Sequence, residues 1–235
     1  MAKAQAKSEF GGFDPEMVQF FGELALNNDR EWFEANKKRY ERVVREPALA
    51  FIRAMAPRLS KLSKHVLAID KKVGGSLMRP YRDTRFATDK TPYKTNLGVQ
   101  FRHAAGKDVH APGLYFHVDP DGVFLAAGTW HPEPDALAAI RTRIAEQPKA
   151  WVKARDDAGF KKVFELAGES LSRPPRGFDK DHPQIEDLKR KDHIAVCNLA
   201  HADLYGPKVV ERMAERFAAS KPYMKFLCAA IGVPF

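Results

Sequence analysis

The apolar residues of this chain follow two different periods, and the changes of period mark out its elements. Near the start Met17, Val18, Phe20, Phe21 and Leu24 recur at spacings of one, two and three, the stripe of an amphipathic helix. Asp14 and Pro15 stand just before it, an acceptor for free helix amides followed by a residue whose fixed φ suits a first turn. The helix stops near Asn27 and Asn28. Asn28, with Glu31 three residues later, predicts a capped start for a second helix. Its Trp32, Phe33, Asn36, Tyr40, Val43 and Val44 form an aromatic face opposite Lys37, Lys38 and Arg42. Pro47 predicts a restart. Beyond it Ala48, Phe51, Ile52, Met55, Leu59 and Leu62 hold one phase through Pro57, a single helix kinked or opened at that proline.

The centre changes to period two. Leu97, Val99 and Phe101 alternate with Gly98, Gln100 and Arg102, and Leu114, Phe116 and Val118 with Tyr115, His117 and Asp119. Asp119-Pro120-Asp121-Gly122 is turn chemistry, with a returning strand over 123–127. Links this short leave no room for parallel crossovers, so an antiparallel meander of at least three strands is predicted. A rigid Trp130-His131-Pro132-Glu133-Pro134 link leads to a helix with Leu137, Ile140 and Ile144 inside. A short helix begins at Trp151, residues 160–171 fit either element, and 173–177 is extended because proline disfavours a preceding helix. A short helix over 185–189, a strand over 194–199 and helices over about 207–219 and 222–231 close the chain. The fold class is therefore α+β, a small antiparallel β-meander covered by N-terminal and C-terminal helices. No repeat or long linker divides it, so residues 1–12 read as a flexible tail and 13–235 as a single domain.

Composition narrows the function classes. Sixteen Phe, six Tyr and three Trp in 235 residues supply a large core without a metal or disulfide staple. No apolar run approaches the roughly 18 residues of a membrane span, and no apolar segment follows the first lysines, so no membrane partner and a cytoplasmic location are expected. Cys197 and Cys228 lie in apolar surroundings and read as buried free thiols of a reducing compartment. A net formal charge of +9 favours anionic partners. His117 and Asp119 share one strand face, and His131, with His103 and His110 from the preceding loop, could join them. No HExxH, HxH or CxxC spacing supports a metal, and no P-loop, GxSxG or GxGxxG signature supports a cofactor. The expected cofactor and metal complement is none.

Residues 79–94, RPYRDTRFATDKTPYK, fit neither element. Arg79, Arg82, Arg85, Lys90 and Lys94 are interleaved with Asp83 and Asp89 between Pro80 and Pro92. Long polar loops inside compact domains are uncommon and often functional. Tyr81, Phe86 and Tyr93 are its expected anchors to the core. Crowded cations repel, and interleaved carboxylates hold guanidinium forks in fixed orientations, an arrangement suited to phosphate or carboxylate. An internal salt-bridge lattice would use the same residues.

This chain resembles an uncharacterised bacterial and fungal family catalogued as domain of unknown function number twenty-four sixty-one. The resemblance rests on NNDREWFEANKKRYERV, RPYRDTRFATDKTPYKTNLGVQF, GLYFHVDPDGVFLAAGTWHPEPDALAAIR and RPPRGFDKDHPQIEDLKRKD. It covers about residues 13–217, and its RDxRFxxDKxPYK match over 82–94 is specific. It implies a shared domain and no activity or catalytic residue.

The functional expectation is an anion-binding cleft on the 79–94 loop. Its ligand-binding residues are Arg79, Arg82, Asp83, Arg85, Asp89, Lys90, Tyr93 and Lys94, and His117 is the proton-transfer candidate. Two alternatives stand beside it. A noncatalytic protein-interaction domain would show an exposed apolar patch, and a nucleic-acid-associated protein would bind with steep salt dependence.

Overall fold

In a computed structural model, residues 10–71, 73–106 and 111–235 are described. Five strands form one antiparallel sheet in the order β1-β2-β3-β5-β4. They are β1 (Leu97–Phe101), β2 (Gly113–Val118), β3 (Val123–Thr129), β4 (Glu165–Ala167) and β5 (His193–Leu199). The first three are the expected meander, with Val99 opposite Phe116 and Phe116 opposite Leu125. The later strands extend it, β5 pairing with β3 and the three-residue β4 with β5.

Helices from both ends of the chain cover one face. The N-terminal set is α1 (Glu16–Leu26), α2 (Arg30–Tyr40) and α3 (Glu46–Leu62), and the C-terminal pair is α8 (Val209–Ala219) and α9 (Lys221–Ala230). α3 lies against β1, and α8 and α9 against β3. Between them the chain adds α4 (Pro134–Glu146), α5 (Pro148–Arg155), α6 (Ala158–Val163) and α7 (Ile185–Leu188). The inward residues of the strands, including Val99, Phe101, Leu114, Phe116 and Leu125, are fully buried against Phe51, Met55, Met213 and Phe217. The ambiguous 160–171 stretch turns out to hold both element types, because α6 ends at Val163 and β4 starts two residues later.

Three local expectations are corrected. The second helix is capped by Asp29, whose side chain accepts from the Trp32 amide at 2.9 Å, while Asn28 bonds elsewhere. Pro47 starts no separate helix. A π-helical turn (Glu41–Arg45) joins α2 to α3, and its wider ladder lets the Glu46 amide reach the Glu41 carbonyl one residue before the proline that lacks a donor. Phe86 anchors nothing in the core, being 96% exposed at the loop tip. Of the expected N-terminal tail, residues 1–9 lie outside the description. From Phe10 the chain is packed, with the Phe10 ring 5.0 Å from Phe13 and 5.8 Å from Phe51. No helix is long and apolar enough to cross a membrane among the described residues.

Candidate functional site

Residues 79–94 form a narrow ribbon that continues from the segment bridging the outer edge of β1. Its two arms pair, the Lys94 amide donating to the Pro80 carbonyl at 2.7 Å and the Arg82 amide to the Pro92 carbonyl at 2.9 Å. Further back, the Met78 amide donates to Gly98 and the Gln100 amide to Ser76. Tyr93 anchors the ribbon. It is buried and stacks on Phe33 with centroids 4.0 Å apart. Asn28 fastens the same residue from the α1–α2 corner, donating from Nδ2 to the Tyr93 carbonyl at 2.9 Å and accepting its amide on Oδ1 at 3.0 Å.

The charged residues of the ribbon divide into two groups. Arg82 donates to Asp89 and to Thr91 Oγ1. Arg85 makes a forked pair with Asp83 at 2.7 and 2.9 Å, and Lys90 donates to the Thr84 carbonyl at 2.9 Å. The hydrogen bonds from Arg85 hold the Asp83 carboxyl down at about 2, and those from Arg82 and Thr91 do the same for Asp89. Lys94 differs. It is partly buried, and no carboxylate among the described residues lies within ion-pair distance of its ammonium. Burial pushes its pKa below the ordinary lysine value, and the positive charge of Arg79 adds to the effect. Lys94 borders a cavity of about 550 Å³ with Asn28, Arg82, Asp89, Thr95 and Asn96. Arg79 is exposed, close enough to both Asp83 and Lys94 to bias their titration.

Asn96 leads from this cavity onto the outer face of the sheet. Its Nδ2 lies 3.4 Å from His117 Nδ1. Tyr115, His117 and Asp119 alternate along β2 and its turn, so all three project outward. His117 Nε2 is 2.8 Å from Asp119 Oδ2, and Tyr115 Oη is 3.1 Å from His117 Nδ1. The Asp119 partner assigns the proton to Nε2 and leaves Nδ1 as an acceptor. Burial raises the Asp119 carboxyl, but the His117 hydrogen bond and the amides of Gly122 and Asp121 outweigh it, so the group stays below its ordinary value. Burial pushes the Tyr115 phenol up to about 12, with the Asp119 charge adding to it. The imidazole also stacks on Phe124, with centroids 4.5 Å apart at 14°. It is thus an oriented base, fixed by a carboxylate on one side and meeting a neutral phenol on the other.

Gly98, opposite His117 on β1, makes room for this row. A Cβ there would lie 2.7 Å from Tyr115 Oη and 2.9 Å from Met78 Sδ. Beyond Tyr115 the outer face is an apolar trough of about 380 Å³, whose lining includes Met78, Phe124, Ala126, Ile194, Val196 and Trp130. His131, which could have joined His117, meets Asp192 instead. Its amide and Nδ1 approach the buried Asp192 carboxylate at 2.7 and 3.2 Å, and this holds its backbone at φ 47°. His103 is buried beside the Pro234 carbonyl at 2.7 Å, and His110 lies outside the described residues.

The ribbon brings Arg82, Asp83, Asp89, Tyr93 and Lys94 to one cavity, with Arg79 beside it. Arg85 and Lys90 point instead into the ribbon's own bonds, and His117 stands on the adjoining sheet face. Sequence reasoning read Asn28 as a helix cap rather than as the clasp on Tyr93, and it missed Asn96. Asn28 meets Tyr93 across 65 residues, and no local signal announces such a contact. Asn96 had one, since it continues the outward alternation of Gly98 and Gln100.

The fold and site define an α+β domain with a polar cavity and an apolar trough on the open side of an antiparallel sheet. Comparison with known families places it further. The chain belongs to the family of conserved hypothetical proteins DUF2461, whose model matches residues 16–226. No curated protein and no solved structure matches it.

Proposed function

We propose that this protein binds a small anionic molecule in the cavity beside the 79–94 ribbon, with Lys94 as its principal cation. The observation that carries the reading is the partly buried ammonium, without a carboxylate partner among the described residues and destabilised by Arg79. A phosphate or carboxylate would supply the missing counter-charge and relieve that repulsion. Arg82, held by Asp89 and Thr91, forms one wall, and Asn28, Tyr93 and Asn96 fix the cavity's shape. Asp83, Arg85 and Lys90 keep the ribbon folded. His117 is the proton-transfer group of the adjoining face. The free, buried thiols of Cys197 and Cys228 support a reducing, cytoplasmic setting for residues 13–235 acting as one domain.

The test is titration calorimetry with inorganic phosphate, acetate and citrate against wild type and Lys94→Met. Charge-assisted hydrogen bonds contribute about 1.5–3 kcal/mol, so the variant should bind the preferred anion about ten- to a hundredfold more weakly. Equal affinities in the two proteins would overturn the assignment.

A further inference from the structure

An antiparallel sheet with one face on the core ordinarily turns polar residues outward on the other. This sheet does so only near one end. Its register sorts the outward residues into rows across the strands. The first row is Gly98, His117, Phe124 and Asn198, the second Gln100, Tyr115, Ala126, Val196 and Glu165, and the third Gly113, Gly128, Ile194 and Ala167. Polar groups gather in the first row, next to Asn96 and the Lys94 cavity. The third row is apolar and is bordered by Trp130, which is 52% exposed. The small residues Gly113, Ala126 and Gly128 keep the floor low, which is why a trough of about 380 Å³ remains. Successive rows are about 7 Å apart, so the trough runs about 13 Å away from its charged end.

We infer that the cavity and the trough are two ends of one site, and that its ligand is an amphipathic organic anion. The head is a carboxylate or phosphate at Lys94, and the body is an acyl or aromatic group laid over Tyr115, Ala126, Val196 and Ile194. This rests on the anion reading above. Two features join the ends. Asn96 lines the cavity and touches His117, and Met78, which lines the trough, is followed by Arg79 beside the cavity. Among the described residues no Lys, Arg, Asp or Glu lines the trough, whereas Lys94 and Arg82 line the cavity, and this fixes the ligand's direction, head towards α1 and tail towards Trp130. Polar atoms in the middle of such a ligand would pass over His117 and Tyr115.

The experiment measures Kd for straight-chain carboxylates from acetate to decanoate, and for the matching alcohols, by calorimetry. Each buried methylene should tighten binding about fourfold until the trough is filled. Ala126→Phe, which fills the floor, and Val196→Asp, which makes it polar, should each flatten that slope, so the result does not hang on one variant folding. Lys94→Met should weaken every carboxylate of the series. Binding of carboxylates with no dependence on chain length would overturn the joint site and leave the anion reading standing. Alcohols binding as tightly as carboxylates, with Lys94→Met without effect, would overturn the anion reading and the joint site with it. No binding by either series would do the same.

Discussion

The two faces of β2 are made by alternate residues of one short segment, yet they have opposite characters. Leu114, Phe116 and Val118 enter a sealed core under the helices. Tyr115 and His117, one position away from each, stand partly exposed in a line of hydrogen bonds ending on Asp119. The inner face is a stability device, and its geometry is set by packing. The outer face holds polar groups in place with few of those packing constraints, so its side chains are free to serve a ligand. Neighbouring substitutions on one strand should therefore have unlike phenotypes.

The largest expected difference is between Phe116→Ala and His117→Ala. Truncating a buried Phe costs about 3–5 kcal/mol, whereas the His117 change should stay within about 1 kcal/mol in urea melts while weakening ligand binding. Comparable losses of stability in both would break the distinction. A second, smaller effect comes from an inward-facing histidine. His193 is fully buried on β5, and among the described residues neither of its ring nitrogens has a hydrogen-bond partner. Burial lowers its pKa to about 3, the charges of Arg190 and Arg141 add to this, and Asp192 opposes it. Because the folded value lies below the unfolded one, this group's contribution is complete above about pH 6.5 and declines as pH falls towards 3. Denaturation midpoints of His193→Phe should show a shallower decline than wild type over that window. Parallel profiles would mean that other groups set the acid sensitivity.

Gly98→Ala sharpens the comparison from the outer side. The added methyl meets the Tyr115 hydroxyl and Met78, so the phenol must shift. We expect about 1–2 kcal/mol of destabilisation, within the range for overpacking, and a changed tyrosine near-ultraviolet signal. An unaltered signal would show that Tyr115 is not held by the row. The smallest effect is acid loosening of the ribbon. Asp83 and Asp89 have folded values of about 2, so their pairs are fully effective above the ordinary carboxylate range and fail as pH drops through 2. Amide exchange across 82–92 should quicken in that interval before the core strands respond.

The sequence showed the periodic parts of this architecture most clearly. α1, α3 and the meander were legible because each has an uninterrupted apolar period over two turns or five strand positions. β4 was not, since three residues carry no period. The α2–α3 continuity was hidden by Pro47, which ordinarily stops a helix but is absorbed here by the wider turn before it. The ribbon was found from its charge, but which cation is both partly buried and without a carboxylate depends on the fold and on pairings such as Arg82 with Asp89, seven residues apart. Composition cannot rank five cations. The trough had a visible signal in VFLAAG of β3, an apolar run in which outward positions are as nonpolar as inward ones. Strict alternation in β1 and β2 drew attention from it.

The pairing along β1 has a consequence for how the protein behaves in crowded solution. The segment around residue 77 bridges its outer side at Val99, the one around residue 66 pairs just past its end at His103, and the ribbon continues past its start. At the opposite border β4 offers only three residues. Open borders are where strands recruit foreign strands and grow fibrils, and this sheet leaves little template at either side. The protein should stay unpolymerised at high concentration, even though one broad surface of its sheet is greasy.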